Sequence, residues 1–286
     1  MKRIFGILLI IIYITGCEDV VDIDTPVTPP RLYIDAVVRL DETSAVTTIQ
    51  VKAGTTSSFF NEVEPAELTN VSLIGVGYEP TSALDLNIVV FSEVSAGVYE
   101  GSKSTNFFIS SSELQLFIEH EGQRYLARTQ YVPSSPITNL EQGNETLFSG
   151  NETEVKVAFV DNGDSNDFYL FDLDFGDYLV TEDEFYQGQT FEFSYFYDDK
   201  VKVGSEINIS LLGVDEQFYN YMNQLIVQAG GDQGPFQTPS ATVRGNIINI
   251  TNIDNINSFD NVEDSDNFAL GYFAVCQTFT ETIIIE

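Results

Sequence analysis

QRYLARTQYV, residues 123–132, reads as a half-buried β-strand. Tyr125, Ala127, Thr129 and Tyr131 fall on one face, and Leu126, Arg128, Gln130 and Val132 on the other, because successive strand side chains point to opposite sides. Glu121-Gly122-Gln123, just before it, carries a hairpin-turn signal that joins it to SELQLFIEHEG. Working back towards the N-terminus, GVYEGSK, LDLNIVVFSEV, NVSLIGVGYE, AVTTIQVKAG and RLYIDAVVRL are runs of the same kind. They are rich in Val, Ile, Tyr and Thr and are bounded by Gly, Asn and Asp. Seven short strands in about 100 residues predict an immunoglobulin-like or prealbumin-like sandwich over residues 31–135.

Pro133-Ser134-Ser135-Pro136 marks a domain link, since two prolines and two serines punctuate rather than continue a strand. Residues 136–286 are expected to form a second β-rich domain. Its strands are EVKVAFVD, DFYLFDLDF, TFEFSYFY, EINISLLGV and the tail FALGYFAVCQTFTETIIIE. One segment has a different period. In DEQFYNYMNQLIVQAGG, Phe218, Tyr221, Met222, Leu225, Ile226 and Ala229 recur at helical spacing. Asp215 is placed to cap this helix, over residues 215–229, and Gly230 to end it. Its apolar stripe is expected to pack on the second domain's sheet. The fold class is mainly β, with one helix.

Composition narrows the function. The chain has 12 Lys and Arg against 44 Asp and Glu, a net charge of −32. Nucleic-acid binding is discarded, because it needs basic side chains to displace phosphate counterions. The same charge opposes docking on anionic lipid head groups and suits solubility, weak divalent-cation binding or a cationic partner. The chain is 43% hydrophobic and 13% aromatic, enough to build cores.

The N-terminus gives an address. Lys2 and Arg3 precede an apolar run from Phe5 to Ile14, roughly ten residues and well short of the twenty or so that span a bilayer. This is a secretory leader, residues 1–16, to be excluded from the fold. Ile14-Thr15-Gly16-Cys17 resembles a bacterial lipobox, which implies cleavage after Gly16 and diacylation of the Cys17 thiol. The alternative is a plain secreted protein. With about 0.8 kcal/mol per buried methylene, two acyl chains give stable anchoring where one is marginal. Glu18 and Asp19 follow directly and resemble the surface-export signal of Bacteroidota lipoproteins. Residues 17–30 form an acidic, Pro-rich tether that reaches roughly 40 Å if extended. With Cys17 acylated, Cys276 is the only remaining thiol, so no internal disulfide forms, and its apolar surroundings make it a small core residue.

Beyond the lipobox, the chain resembles a family of two-domain Bacteroidota outer-membrane lipoproteins, a domain of unknown function. Gly97-Val98-Tyr99 and Tyr125-Leu126-Ala127 carry the resemblance in the first domain. In the second it rests on Phe159-Val160-Asp161, Asp167-Phe168-Tyr169 and Tyr219-Asn220-Tyr221-Met222. It continues through Gly234-Pro235-Phe236-Gln237-Thr238-Pro239, Arg244-Gly245-Asn246-Ile247 and Leu270-Gly271-Tyr272-Phe273. The resemblance implies a neighbour among TonB-dependent outer-membrane receptors. A glycine inside the strand at Leu270-Gly271-Tyr272-Phe273 points to a bulge or a close backbone approach, which is a feature of the fold. The Asn- and Asp-rich stretch from Ile248 to Asn267 departs from the family pattern and is expected to be a surface loop.

Candidate chemistry is sparse. A Ser-His-Asp or Cys-His device would depend on the one histidine, His120, and no G-x-S-x-G elbow is present. A His/Cys zinc site is excluded by number. Glu182-Asp183-Glu184 and Asp198-Asp199 offer carboxylates, but glycosidase chemistry needs two of them at a set separation across a cleft. Asp161-Asn162-Gly163-Asp164-Ser165-Asn166-Asp167 is the metal candidate, with Asp161, Asp164 and Asp167 as calcium ligands on a Gly-containing turn that lacks the EF-hand spacing. Phe191, Phe193, Tyr195 and Tyr197 share one strand face, read as core packing with a partner patch as the alternative. The expectation is a non-enzymatic, surface-exposed outer-membrane lipoprotein serving a TonB-dependent transporter as accessory or substrate-binding partner. The alternative is an adhesion or surface-structural module.

Overall fold

The structure is a computed structural model that describes residues 30–57, 64–82, 84–147, 150–198, 201–230, 242–255 and 266–286. The leader, the lipobox with Cys17, the Glu18-Asp19 pair, the Gly234–Pro239 stretch and Asp199 lie outside the described residues.

In chain order the strands of the first half are β1 (Leu32–Leu40), β2 (Val46–Thr55), β3 (Glu64–Pro65), β4 (Asn70–Val76), β5 (Ile88–Val90), β6 (Ser92–Ser95) and β7 (Val98–Ser104). A short helix, α1 (Thr105–Ser110), precedes β8 (Glu113–His120), β9 (Gln123–Thr129) and β10 (Tyr131–Val132). The second half holds β11 (Ile137–Gln142), β12 (Thr153–Val160), β13 (Phe168–Asp172), β14 (Tyr178–Glu182), β15 (Thr190–Tyr197) and β16 (Glu206–Val214). It closes with α2 (Glu216–Ala229), β17 (Ile247–Asn249) and β18 (Leu270–Ile284). The protein is mainly β, with sandwich-like packing of its sheets.

A ten-stranded sheet is the spine, ordered β14-β13-β16-β18-β1-β2-β7-β6, with β10 beside β18 and β3 beside β2. At one end the five-stranded sheet β17-β9-β8-β4-β5 faces it, and at the other the three-stranded sheet β11-β12-β15. The first sandwich encloses Ile34, Leu73, Phe107, Leu114 and Phe273, all fully buried. The second encloses Val157, Phe159, Phe171, Ile207 and Ile209. Phe159 makes edge-on contacts with Tyr169 at 4.8 Å and Tyr186 at 5.9 Å, the geometry favoured by the ring quadrupole.

The last strand runs through both sandwiches. Residues Leu270 to Gln277 of β18 pair parallel with β1, and Thr278 to Ile284 pair antiparallel with β16. Phe273 and Val275 enter the first core, while Tyr272, Ala274 and Cys276 point to the opposite face, as a period of two requires. The prolyl link is stitched to the spine: Ser134 N–H donates to Gln277 Oε1 at 2.7 Å, and a Cβ on Gly213 of β16 would sit 1.8 Å from the Pro133 carbonyl oxygen.

The glycine in β18 makes a close backbone approach. Gly271 has φ +95°, and a Cβ there would lie 1.8 Å from the carbonyl oxygen of Ile34 in β1. A Cβ on Gly245 would lie 1.7 Å from the Gly271 carbonyl oxygen. Beside this stack, Asn246 mimics a strand: its Oδ1 accepts from Phe273 N–H at 2.9 Å, and its Nδ2 donates to the Phe273 carbonyl at 2.8 Å. Arg244-Gly245-Asn246 and Leu270-Gly271-Tyr272-Phe273 are thus one clasp holding β18 in register.

The predicted helix is present. Asp215 Oδ1 accepts from Phe218 N–H at 2.7 Å, a cap contributing about 1 kcal/mol. Gly230 N–H donates to the Ile226 carbonyl at 3.0 Å, but its φ of −69° ends the helix without a left-handed turn. The sequence reading missed α1, whose Phe107 and Phe108 are fully buried and plug one end of the first sandwich. It also took the whole of Ile248–Asn267 for a loop. Ile247–Asn249 instead form an edge strand on β9, with Asn249 Nδ2 donating to Gln123 Oε1 at 3.0 Å. Residues 256–265 of that stretch lie outside the described residues.

Candidate functional site

Two places bring polar chemistry together. The first is a carboxylate group at the open end of the second sandwich. The sequence reading put Asp161, Asp164 and Asp167 on one calcium-binding turn; the structure replaces Asp164 with Asp183. One oxygen from each of Asp161, Asp167 and Asp183 lies within 4.8 Å of the others, whereas Asp164 is exposed and outside the group. Asp161 closes β12, Asp167 opens β13, and Asp183 follows β14, so the β13-β14 hairpin carries the third carboxylate back to the first two.

Asp161 and Asp183 are 5% and 4% exposed, so their charges are felt at low dielectric. Asp161 Oδ1 accepts from Tyr169 O–H at 2.7 Å, and its Oδ2 accepts from Gly188 N–H at 2.7 Å. Asp183 Oδ2 accepts from Asp167 N–H at 3.0 Å. The turn can close because Gly163 and Gly188 touch: a Cβ on Gly163 would sit 3.0 Å from the Gly188 Cα. Burial raises the Asp167 carboxyl above the usual carboxylate range, and the charges of Asp161 and Asp183 add to the rise. The ion pairs Arg39–Asp172 and Lys103–Asp85 lie elsewhere. A proton or a hard cation offsets such a group, and three carboxylates supply part of the oxygen shell calcium takes.

The second place is a cleft under α2. β1 alternates cleanly: Leu32, Ile34, Ala36, Val38 and Leu40 face the first core, while Tyr33, Asp35, Val37 and Arg39 face outward. On that outer face α2 covers β13, β16 and β18, burying Phe218 against Tyr272, with ring centroids 4.6 Å apart. The cover is incomplete. Tyr221, Met222, Leu225 and Ile226 are only half-buried. Two adjoining cavities of about 500 and 460 Å³ flank them and share Tyr178, Met222 and Leu225 as lining. The larger is floored by Val37, Leu170, Leu212 and Tyr272 and opens between Tyr33, Asp35, Arg39 and Lys52. Its volume is that of a small-molecule site, usually about 300–1,000 Å³ with a few convergent polar groups.

The electrostatics at the mouth are mixed. Asp35 and Lys52 are directly opposed across β1 and β2, and among the described residues neither side chain makes a hydrogen bond or ion pair. Arg39 Nη2 lies 2.5 Å from Asp172 Oδ2 and leaves its other N–H groups to solvent. Burial, then the nearby Tyr33 and Asp35, push the Tyr221 phenol up to about 12. Tyr33 is raised by burial first, then by Asp35 and Tyr178. These phenols are therefore neutral donors at physiological pH. The far rim is the turn Asp174-Phe175-Gly176, with φ of 65°, 53° and 82°, three consecutive left-handed residues.

The remaining candidates sit apart from both places. His120 Nδ1 lies 2.9 Å from the Glu67 carbonyl oxygen at the β8-β9 hairpin. Phe191, Phe193 and Tyr195 pack on the second core beside the buried Tyr197. Cys276 is buried, and burial raises its thiol well above the usual range. Only the alternation of β1 points to the cleft in the sequence, because its other walls come from β2, β13, β14, β16, β18 and α2.

Together these features define a mainly β protein with an aromatic, partly charged cleft between a helix and a continuous sheet. The chain matches the family described as Domain of unknown function (DUF4249) over residues 18–282, and it belongs to that family. No curated protein matches it.

Proposed function

We propose that this protein is a lipid-anchored outer-membrane lipoprotein, exposed at the cell surface, that binds a small ligand in the cleft under α2 as partner of a TonB-dependent transporter. The cleft carries the binding part of this reading. It joins cavities of about 500 and 460 Å³, and the larger sets aromatic rings around an aliphatic floor with three charged side chains at its mouth. Anchoring rests on the order of Lys2-Arg3, the apolar run and Gly16-Cys17, and surface export on Glu18 and Asp19. The transporter is the partner suggested by the resemblance of the chain to lipoproteins encoded beside such receptors.

Acyl labelling and cell fractionation test the address. Cys17→Ala is expected to leave the protein soluble or unprocessed, and a cleaved product that still partitions tightly into membranes would remove the anchor. Replacing Glu18 and Asp19 by Gln and Asn is expected to protect the protein from protease added to intact cells. Unchanged shaving would show that these acids carry no export signal. Co-purification of a barrel receptor separates transport from the adhesion reading.

A further inference from the structure

We infer that the cleft under α2 recognises short peptides with free α-amino and α-carboxylate groups and bulky apolar side chains. This inference rests on the cleft being a binding site, and it adds the chemistry of the ligand.

In a chain with 12 basic against 44 acidic residues, two bases converge on one cavity mouth. Lys52 is exposed and, among the described residues, makes no hydrogen bond or ion pair. Its cross-strand neighbour Asp35, also at the mouth, has none either. Side chains directly opposed across antiparallel strands stand about 4.5–5.5 Å apart at Cβ. An unpaired acid and an unpaired base thus stand side by side, facing the same cavity. A zwitterion satisfies both at once, its ammonium on Asp35 and its carboxylate on Lys52. Arg39 lies four residues along β1 on the same face, roughly 13 Å away at a rise of about 3.3 Å per residue. Its unused N–H groups receive a carboxylate placed further along a longer peptide.

The floor selects what lies between the charged ends. Val37, Leu170, Leu212, Met222 and Leu225 are aliphatic or thioether side chains that offer no hydrogen bond to a buried hydroxyl, and Tyr272 is the one floor residue that carries a polar atom. A saccharide would bury hydroxyls against these aliphatic side chains without partners. A fatty carboxylate would suit the floor and Lys52 but bring a second negative charge beside Asp35. Apolar peptide side chains match the floor, and the neutral phenols of Tyr33, Tyr178 and Tyr221 are donors for peptide carbonyls. The second cavity, which shares Tyr178, Met222 and Leu225 with the first as lining, gives room for a second side chain.

The test is calorimetric titration of the mature, detergent-solubilised protein with leucyl-phenylalanine, its N-acetyl and C-amide forms, maltose and laurate. Parallel titrations use Asp35→Asn and Lys52→Gln, whose side chains are half-exposed and exposed, so the fold has no need of their charge. The inference predicts saturable binding of the free dipeptide. It predicts a loss of about tenfold or more on capping either terminus, matched by Asp35→Asn for the ammonium and Lys52→Gln for the carboxylate. Equal binding of capped and free peptide would overturn it. Binding of maltose or laurate in place of the dipeptide would overturn the ligand class and leave the cleft as a binding site. No binding by any probe, in a protein that still co-purifies with a receptor, would overturn the inference while the transporter partnership stood.

Discussion

Gly271→Ala tests how the two sandwiches are joined. Gly271 sits in β18 opposite Ile34 of β1, at φ +95°, and an added Cβ would lie 1.8 Å from the Ile34 carbonyl oxygen and 2.7 Å from its carbon. Two costs add. The positive φ alone costs an L-residue about 1–2 kcal/mol. The contact cannot relax by rotating a side chain, because it is made with backbone. Ordinary separation requires β1 and β18 to part by more than about 1 Å, and their facing residues Ile34, Phe273 and Val275 are fully buried in a close-packed core. Strain of that kind adds about 1–3 kcal/mol. The expected total is about 2–5 kcal/mol, read as a fall in the denaturant midpoint followed by circular dichroism. Gly122→Ala is the control: its φ is +75°, but nothing lies within 4 Å of the added Cβ, so it should show the conformational cost alone, about 1–2 kcal/mol. If both variants lose the same amount, the close approach at Gly271 contributes nothing and the argument fails.

Two further predictions follow from local geometry. Glu121 occupies a left-handed position at φ 48° before Gly122 in the two-residue β8-β9 turn, so Glu121→Asn, which favours that turn type, should stabilise by about 0.5 kcal/mol in thermal melts; destabilisation would contradict the turn assignment. At the carboxylate group, the folded-state pKa of Asp167 is raised, so its stabilising contribution is full below the unfolded value near 4 and is lost as pH rises through the folded one. Repulsion at 4.8 Å amounts to about 3.5 kcal/mol per pair at an effective dielectric of 20, and nearer 1 once solvent screens the half-exposed Asp167. Asp183→Asn should therefore raise the midpoint at pH 7 and flatten its pH dependence. Millimolar calcium should raise the midpoint of the native protein and leave that of the variant unchanged; a midpoint indifferent to both changes would mean the three charges do not interact.

What the sequence reveals depends on how local each signal is. TFEFSYFY and EINISLLGV are read directly as β15 and β16, since β-branched and aromatic runs bounded by turn residues need no distant partner to be recognised. α2 is legible for the same reason, through a stripe of helical spacing and the Asp215 cap. α1 is not, because six residues give less than two turns of period and Ser104 makes no side-chain cap bond. Gly271 was legible as a close approach, but the Ile34 carbonyl it meets lies far away in sequence. The carboxylate group was half legible: Asp161 and Asp167 lie on one turn, while Asp183 joins them only when the β13-β14 hairpin closes and Asp167 N–H reaches its Oδ2. The cleft is the least local feature. Tyr33, Asp35 and Arg39 share a face by simple alternation, but Lys52, Tyr178 and Leu225 reach that face only through sheet order and the lie of α2.

A mild-detergent pull-down of the full-length protein from its native outer membrane, with mass spectrometry of what accompanies it, tests the proposed function most directly. A TonB-dependent receptor is expected in near-stoichiometric amount, retained when the cleft variants Asp35→Asn and Lys52→Gln are used as bait. A protein that comes down alone from intact, correctly acylated membranes would contradict the transporter partnership and favour an adhesion or free-standing binding role.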